Sequence, residues 1–63
     1  MDISKFELSP AGEGHNASLI SVAGQCYRAG ASYDETLEHL QNQYDSERID
    51  YNSAPKRAVA KVW

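Results

Sequence analysis

Sixty-three residues with 41% hydrophobic and 24% charged side chains are enough for one small domain, and the composition is that of neither a disordered tail nor a membrane protein. A folded chain of this length buries only roughly 60% of the surface its unfolded form exposes, so modest stability is expected. The single cysteine, Cys26, excludes a disulfide framework and a multi-cysteine zinc site. With no apolar run of bilayer length and no signal-peptide core, a cytoplasmic setting is expected.

The net charge is −3, and its distribution says more than its sum. Residues 32–51 carry Asp34, Glu35, Glu38, Asp45, Glu47 and Asp50 against Arg48 alone, whereas residues 52–63 carry Lys56, Arg57 and Lys61 without an acid. Such a chain is not steered as a whole toward nucleic acid, but it has room for a local basic face.

In chain order, residues 1–14 hold Pro10, Gly12 and Gly14 and no helical period. They predict an extended segment pinned by Ile3, Phe6 and Leu8, whose partial alternation also allows a short edge strand. A first helix is predicted over about 16–29. Leu19, Val22, Ala23, Cys26 and Tyr27 form its apolar face, Asn16 is a candidate N-cap, and Gly30 stands where a left-handed residue ends a helix. A second helix follows over about 33–45. Ser32-Tyr33-Asp34-Glu35 reads as a capping box, and Tyr33, Leu37, Leu40 and Tyr44 form an inward row. After a polar connector, a third helix is expected over about 55–63. Pro55 suits its first turn, and Val59, Val62 and Trp63 would face inward. The fold class is therefore all-α, a small three-helix domain of residues 15–63 behind an extended N-terminal segment.

Few residues offer chemistry. Cys26 lies on an apolar face, where burial rather than an electropositive setting awaits it. His39 reads as a boundary residue. His15, just ahead of a helix, suits either ordering of the preceding loop or contact with a phosphate at the helix start. The carboxylates of the second helix read as a solvated face, and no nucleotide loop, catalytic set, metal cluster or cofactor motif is found. An enzyme is not expected. Lys56, Arg57 and Lys61 are the best lead, a helical surface able to contact phosphates, with Trp63 and Tyr51 as possible stacking surfaces. A helix-turn-helix reading fails because the second helix opens with Asp34, Glu35 and Glu38, which phosphates would repel.

Gly12-Glu13-Gly14-His15-Asn16-Ala17-Ser18-Leu19 resembles the opening of the primase C-terminal domain family, in which such a stretch begins a helix of small and apolar residues. Gly30-Ala31-Ser32-Tyr33-Asp34-Glu35 is similar to that family's second helix start, and Val59-Ala60-Lys61-Val62-Trp63 to its last helix. The likeness spans residues 12–63. It departs at Lys56 and Arg57, where the family commonly has an acid and a second proline, and at Trp63, past which the family helix continues; an excised or short version is expected.

The resemblance implies an all-α, noncatalytic accessory module of a plasmid, phage or other mobile-element replication primase or primase-polymerase. Its expected partners are single-stranded or primer–template DNA and the catalytic primase domain or helicase of the same protein. Gly14, His15 and Asn16 match the opening motif, which reads more as a helix start than as a site. The expected DNA-contacting set is Lys56, Arg57, Lys61, His15 and Asn16. The alternative is a protein–protein docking module that uses the acidic second helix or exposed aromatics.

Overall fold

A computed structural model describes residues 3–10 and 12–63. Three helices follow in order: α1 over His15–Arg28, α2 over Tyr33–Gln43 and α3 over Ser53–Val62. The all-α, three-helix expectation therefore holds, and no strand occurs among the described residues. Of the expected extended segment, residues 6–10 carry no helix or strand, but Phe6 N–H donates to the Ile3 carbonyl at 3.0 Å across a turn at Ser4 and Lys5, and residues 12–14 form a second turn; Met1, Asp2 and Ala11 lie outside the described residues.

The turns explain the path of the chain. At the end of α1, Gly30 adopts φ 91°, a left-handed conformation that costs glycine little. Gly30 N–H donates to the Tyr27 carbonyl at 3.0 Å and Ala31 N–H to the Cys26 carbonyl at 3.1 Å, the paired bonds of a Schellman ending. Two residues later, Ser32 Oγ accepts from Glu35 N–H at 3.1 Å while Glu35 Oε1 accepts from Ser32 N–H at 3.1 Å. This reciprocal box starts α2 and reverses the chain. In the connector, Ser53 and Ala54 N–H both donate to the Asp50 carbonyl, so α3 begins two residues before the expected start. Pro55 still falls in its first turn, where a missing N–H leaves no bond unmade.

The start of α1 differs from expectation. Gly14, at φ 82°, is the N-cap and makes no side-chain cap bond. Asn16 therefore sits inside the first turn, and its amide is directed to other partners.

The core collects Leu19, Val22, Ala23 and Cys26 from α1, Leu40 from α2 and Tyr44 just after it, and Ala54, Ala58 and Val59 from α3. Ile3, Phe6 and Leu8 of the N-terminal segment pack against it, as their spacing suggested. Tyr27, Tyr33 and Trp63, expected to face inward, stand 53%, 39% and 41% exposed. The core is filled largely by alanine, valine and leucine, and the three rings lie at its end instead.

Contacts at the two ends set the topology. Asn16 at the start of α1 meets Tyr44 after α2 and Asp50 before α3, whereas Tyr27 and Tyr33 both meet Trp63. Helices α1 and α3 therefore run in the same direction, with α2 antiparallel to both.

Two histidines strap the N-terminal segment down. His15 is 7% exposed; its Nδ1 lies 2.6 Å from the Ser9 carbonyl and its Nε2 accepts from Asp45 N–H at 3.1 Å. His39 Nε2 and Gln43 Nε2 both reach the Phe6 carbonyl, at 2.7 and 3.0 Å. Donation to one shared acceptor brings those two nitrogens within 2.9 Å of each other. Gln43 Oε1 then accepts from Leu8 N–H, so the segment is held by its backbone as well as by its apolar side chains.

Candidate nucleic-acid interface

Charge is sorted by helix. No acid occurs in α1 or α3, which carry Arg28, Lys56, Arg57 and Lys61, four of the six Lys and Arg residues. Helix α2 carries Asp34, Glu35 and Glu38 and no Lys or Arg. Helices α1 and α3 pack side by side, so the cations belong to one pair of helices on a chain that is acidic overall. Among the described residues the one ion pair is Arg48 with Asp45, at 3.9 Å, so none of the four helical cations is neutralised by a carboxylate contact. Part of their role is local: Arg28 and Lys61 occupy the last turns of their helices, where a cation offsets the helix dipole.

A groove of about 170 Å³ runs between α1 and α3. Asn16, Ile20 and Asp50 line it together with Arg57 and Lys61. The structure thus brings three of the five sequence candidates, Asn16, Arg57 and Lys61, to one place. Arg57 Nη2 lies 3.4 Å from Ser53 Oγ along its own helix, a long bond that leaves the guanidinium's other donors available. Lys56 is exposed on α3 but does not line the groove. A step of one residue turns it about 100° from Arg57.

His15 is placed differently. The Nδ1–H tautomer satisfies both ring contacts, with Ser9 accepting and Asp45 donating. Neither ring nitrogen is left for a phosphate, and the loop-ordering role is the one its geometry describes. Asn16 Nδ2 donates to the Tyr44 hydroxyl at 2.9 Å and to Asp50 Oδ2 at 3.4 Å, and the Tyr44 hydroxyl donates to Asp50 Oδ1 at 3.1 Å. Asp50 thereby supplies negative charge beside the starts of α1 and α3, neither of which has a side-chain cap. That end of the groove is committed to holding the helices together, and its free cationic character lies farther along, at Arg57 and Lys61.

Sequence reasoning missed Ile20, Arg28 and Asp50. Ile20 falls off the apolar period of α1 and is 46% exposed, which is itself a signal. Arg28 is separated by 28 residues in sequence from the basic cluster, and the parallel packing of α1 and α3 puts it at the same end of the molecule as Lys61. The absence of any acid between His15 and Arg28 was the available clue.

Cys26 is fully buried. Burial pushes its thiol up from the ordinary value, with a weaker opposing effect from the Thr36 hydroxyl, so it is not a nucleophile in waiting. Among the described residues no group of three His, Cys, Asp or Glu side chains is placed to hold a metal ion, and no helix is long and apolar enough to cross a membrane.

Comparison with family models, with curated proteins and with solved structures finds no match to this chain.

Proposed function

We propose that this chain is a noncatalytic helical accessory domain that contacts DNA through the α1–α3 face, in keeping with its resemblance to the C-terminal domain of mobile-element replication primases. The observation that carries the DNA reading is the sorting of charge: the paired helices α1 and α3 bear four cations and no acid, and Arg57 and Lys61 line one groove between them. A polyanion is the partner that such a face attracts despite a net charge of −3, because the carboxylates of α2 belong to a different helix. Catalysis would belong to another domain of the same replication protein, and a cytoplasmic setting goes with that role.

Binding should be weak and salt-sensitive, since only a few phosphates meet cations. Amide-resolved NMR titration with short DNA, at low and then moderate salt, tests this. Shifts should fall on the α1–α3 face and reverse with salt. Arg57→Gln combined with Lys61→Gln should lower affinity by about tenfold without unfolding the chain, and Lys56→Gln by less. A folded double variant that keeps its affinity would sink the assignment.

A second reading is favoured by one observation. Tyr27, Tyr33 and Trp63 form an exposed aromatic group where α1, the start of α2 and the end of α3 meet. A protein docking module would use such rings and would ignore DNA in the same titration.

A further inference from the structure

The aromatic group lies on the same seam as the cations. From Ile20 on the groove wall, α1 continues on that face to Gly24 and Tyr27, at steps of four and three residues. A Cβ built at Gly24 would lie 3.9 Å from Arg28 Nη1, so the Arg28 guanidinium folds back over this strip. Tyr27 then meets Trp63 edge to face, with centroids 4.9 Å apart and planes 81° apart. Trp63 makes a similar contact with Tyr33, at 6.0 Å and 83°. Lys61 lines the groove from which this strip leads. The strip carries the Arg28 guanidinium and ends in a corner of rings set at right angles, where Tyr27 and Trp63 are 53% and 41% exposed.

We infer that this corner seats an unpaired base, so that the α1–α3 seam selects single-stranded over duplex DNA. The inference rests on the DNA-contact reading above and specifies its substrate. Two features argue for a single strand over an apolar peptide. A ring laid on one wall of the corner presents its edge to the other wall, an arrangement suited to flat aromatic partners. The cations beside it call for a partner that is anionic between its rings, and a strand of nucleotides has both properties in its repeat. A duplex keeps its bases stacked on one another and offers this corner only its backbone. Beyond Tyr33 the carboxylates Asp34 and Glu35 begin, which confines the phosphates to the α1–α3 side of the corner.

Trp63 is the one tryptophan, so its fluorescence reports on the corner directly. The intact chain is titrated at low salt with a short oligothymidylate, an abasic oligomer of equal phosphate count and a hairpin duplex of equal phosphate count. Affinities are read by anisotropy of labelled DNA alongside the tryptophan emission. The expected result is quenching of Trp63 by oligothymidylate alone, with the other two ligands bound about tenfold or more weakly. Tyr27→Ser and Trp63→Ala, both at exposed positions, should bring oligothymidylate down to the level of the abasic oligomer. Equal binding of all three ligands with unchanged emission overturns the base seat and leaves the cationic face standing. Failure of all three to bind overturns both.

Discussion

The rings of His15 and Tyr44 stack face to face, with centroids 4.8 Å apart and planes only 4° apart. The pair joins the first residue of α1 to the residue that ends α2, and each ring carries polar bonds outward. His15 reaches Ser9 and Asp45, and the Tyr44 hydroxyl reaches Asn16 and Asp50. Four segments of the chain therefore meet at one stack. His15→Ala removes the stacking and leaves the Ser9 carbonyl and Asp45 N–H without partners, at an expected cost of about 2–3 kcal/mol. Urea denaturation followed by far-UV circular dichroism measures it. Tyr44→Phe keeps the stack and strips only the hydroxyl, so it should cost less, about 1 kcal/mol. Equal losses from the two variants would show that the polar network, rather than the stack and the His15 bonds, dominates this junction.

Leu40 and Leu37 belong to the same expected inward row but differ in setting. Leu40 is fully buried among core residues of all three helices, whereas Leu37 is half-buried at their margin. Leu40→Ala should cost about 2–5 kcal/mol through lost burial and the cavity left behind. For a chain of this size, whose total stability is on the order of 3–9 kcal/mol, that approaches complete unfolding. Leu37→Ala should cost about half as much, because solvent already reaches part of the side chain. Thermal melts of the two variants separate the cases, and equal midpoints would contradict the packing described.

The Ser32–Glu35 box yields a pH dependence whose sign follows from its bonds. The Ser32 backbone N–H, and secondarily its side chain, hold the Glu35 carboxyl below the ordinary carboxylate value. A group with a depressed folded-state pKa contributes fully above its unfolded pKa and loses that contribution as pH falls through the folded value. The stability gap between the native chain and Glu35→Gln should therefore be open at neutral pH and close under acid. Ser32→Ala removes the acceptor for Glu35 N–H and should cost about 1 kcal/mol. A gap for Glu35→Gln that stays constant from neutral to acid pH would show that the carboxylate's charge plays no part in the cap.

Legibility in the sequence followed the range of the interaction. Gly30, Ser32 and Glu35 act on neighbours within a few residues, and the turn they build could be read directly. The apolar periods of α1 and α2 likewise identified Leu19, Val22, Cys26 and Leu40 as core. The loop-ordering role of His15 was one of two readings and the N-cap role of Asn16 is not the one found, because their partners, Asp45, Tyr44 and Asp50, lie about thirty residues away. No local pattern encodes such pairings. Trp63 was drawn inward by its spacing from Val59, but the space inside is taken by small residues and the ring goes to the surface. That Arg28 and Lys61 end at the same side of the bundle depends on helix direction, a property of the whole chain.

Thr36 and Cys26 face each other inside the core, both fully buried. The Thr36 hydroxyl finds no hydrogen bond of good geometry, and its contact toward the thiol is the weak kind that sulfur offers. A buried hydroxyl without a proper partner lowers stability by its unreturned desolvation. Threonine and valine have similar shapes and similar helix propensities. Thr36→Val should therefore raise stability by about 1 kcal/mol, seen as a higher urea midpoint at unchanged slope; a lower midpoint would reveal a hydrogen bond that the hydroxyl makes in solution. The same pocket governs the thiol. Burial raises the Cys26 pKa, so the neutral thiol is favoured in the fold; its contribution is complete below the ordinary thiol value and is lost as pH rises through the raised one. Alkylation of Cys26 by iodoacetamide at mildly alkaline pH should accordingly proceed only through opening of the core. Its rate should then fall about fivefold in Thr36→Val for about 1 kcal/mol of added stability, and an unchanged rate would mean that reagent reaches the thiol through the native packing.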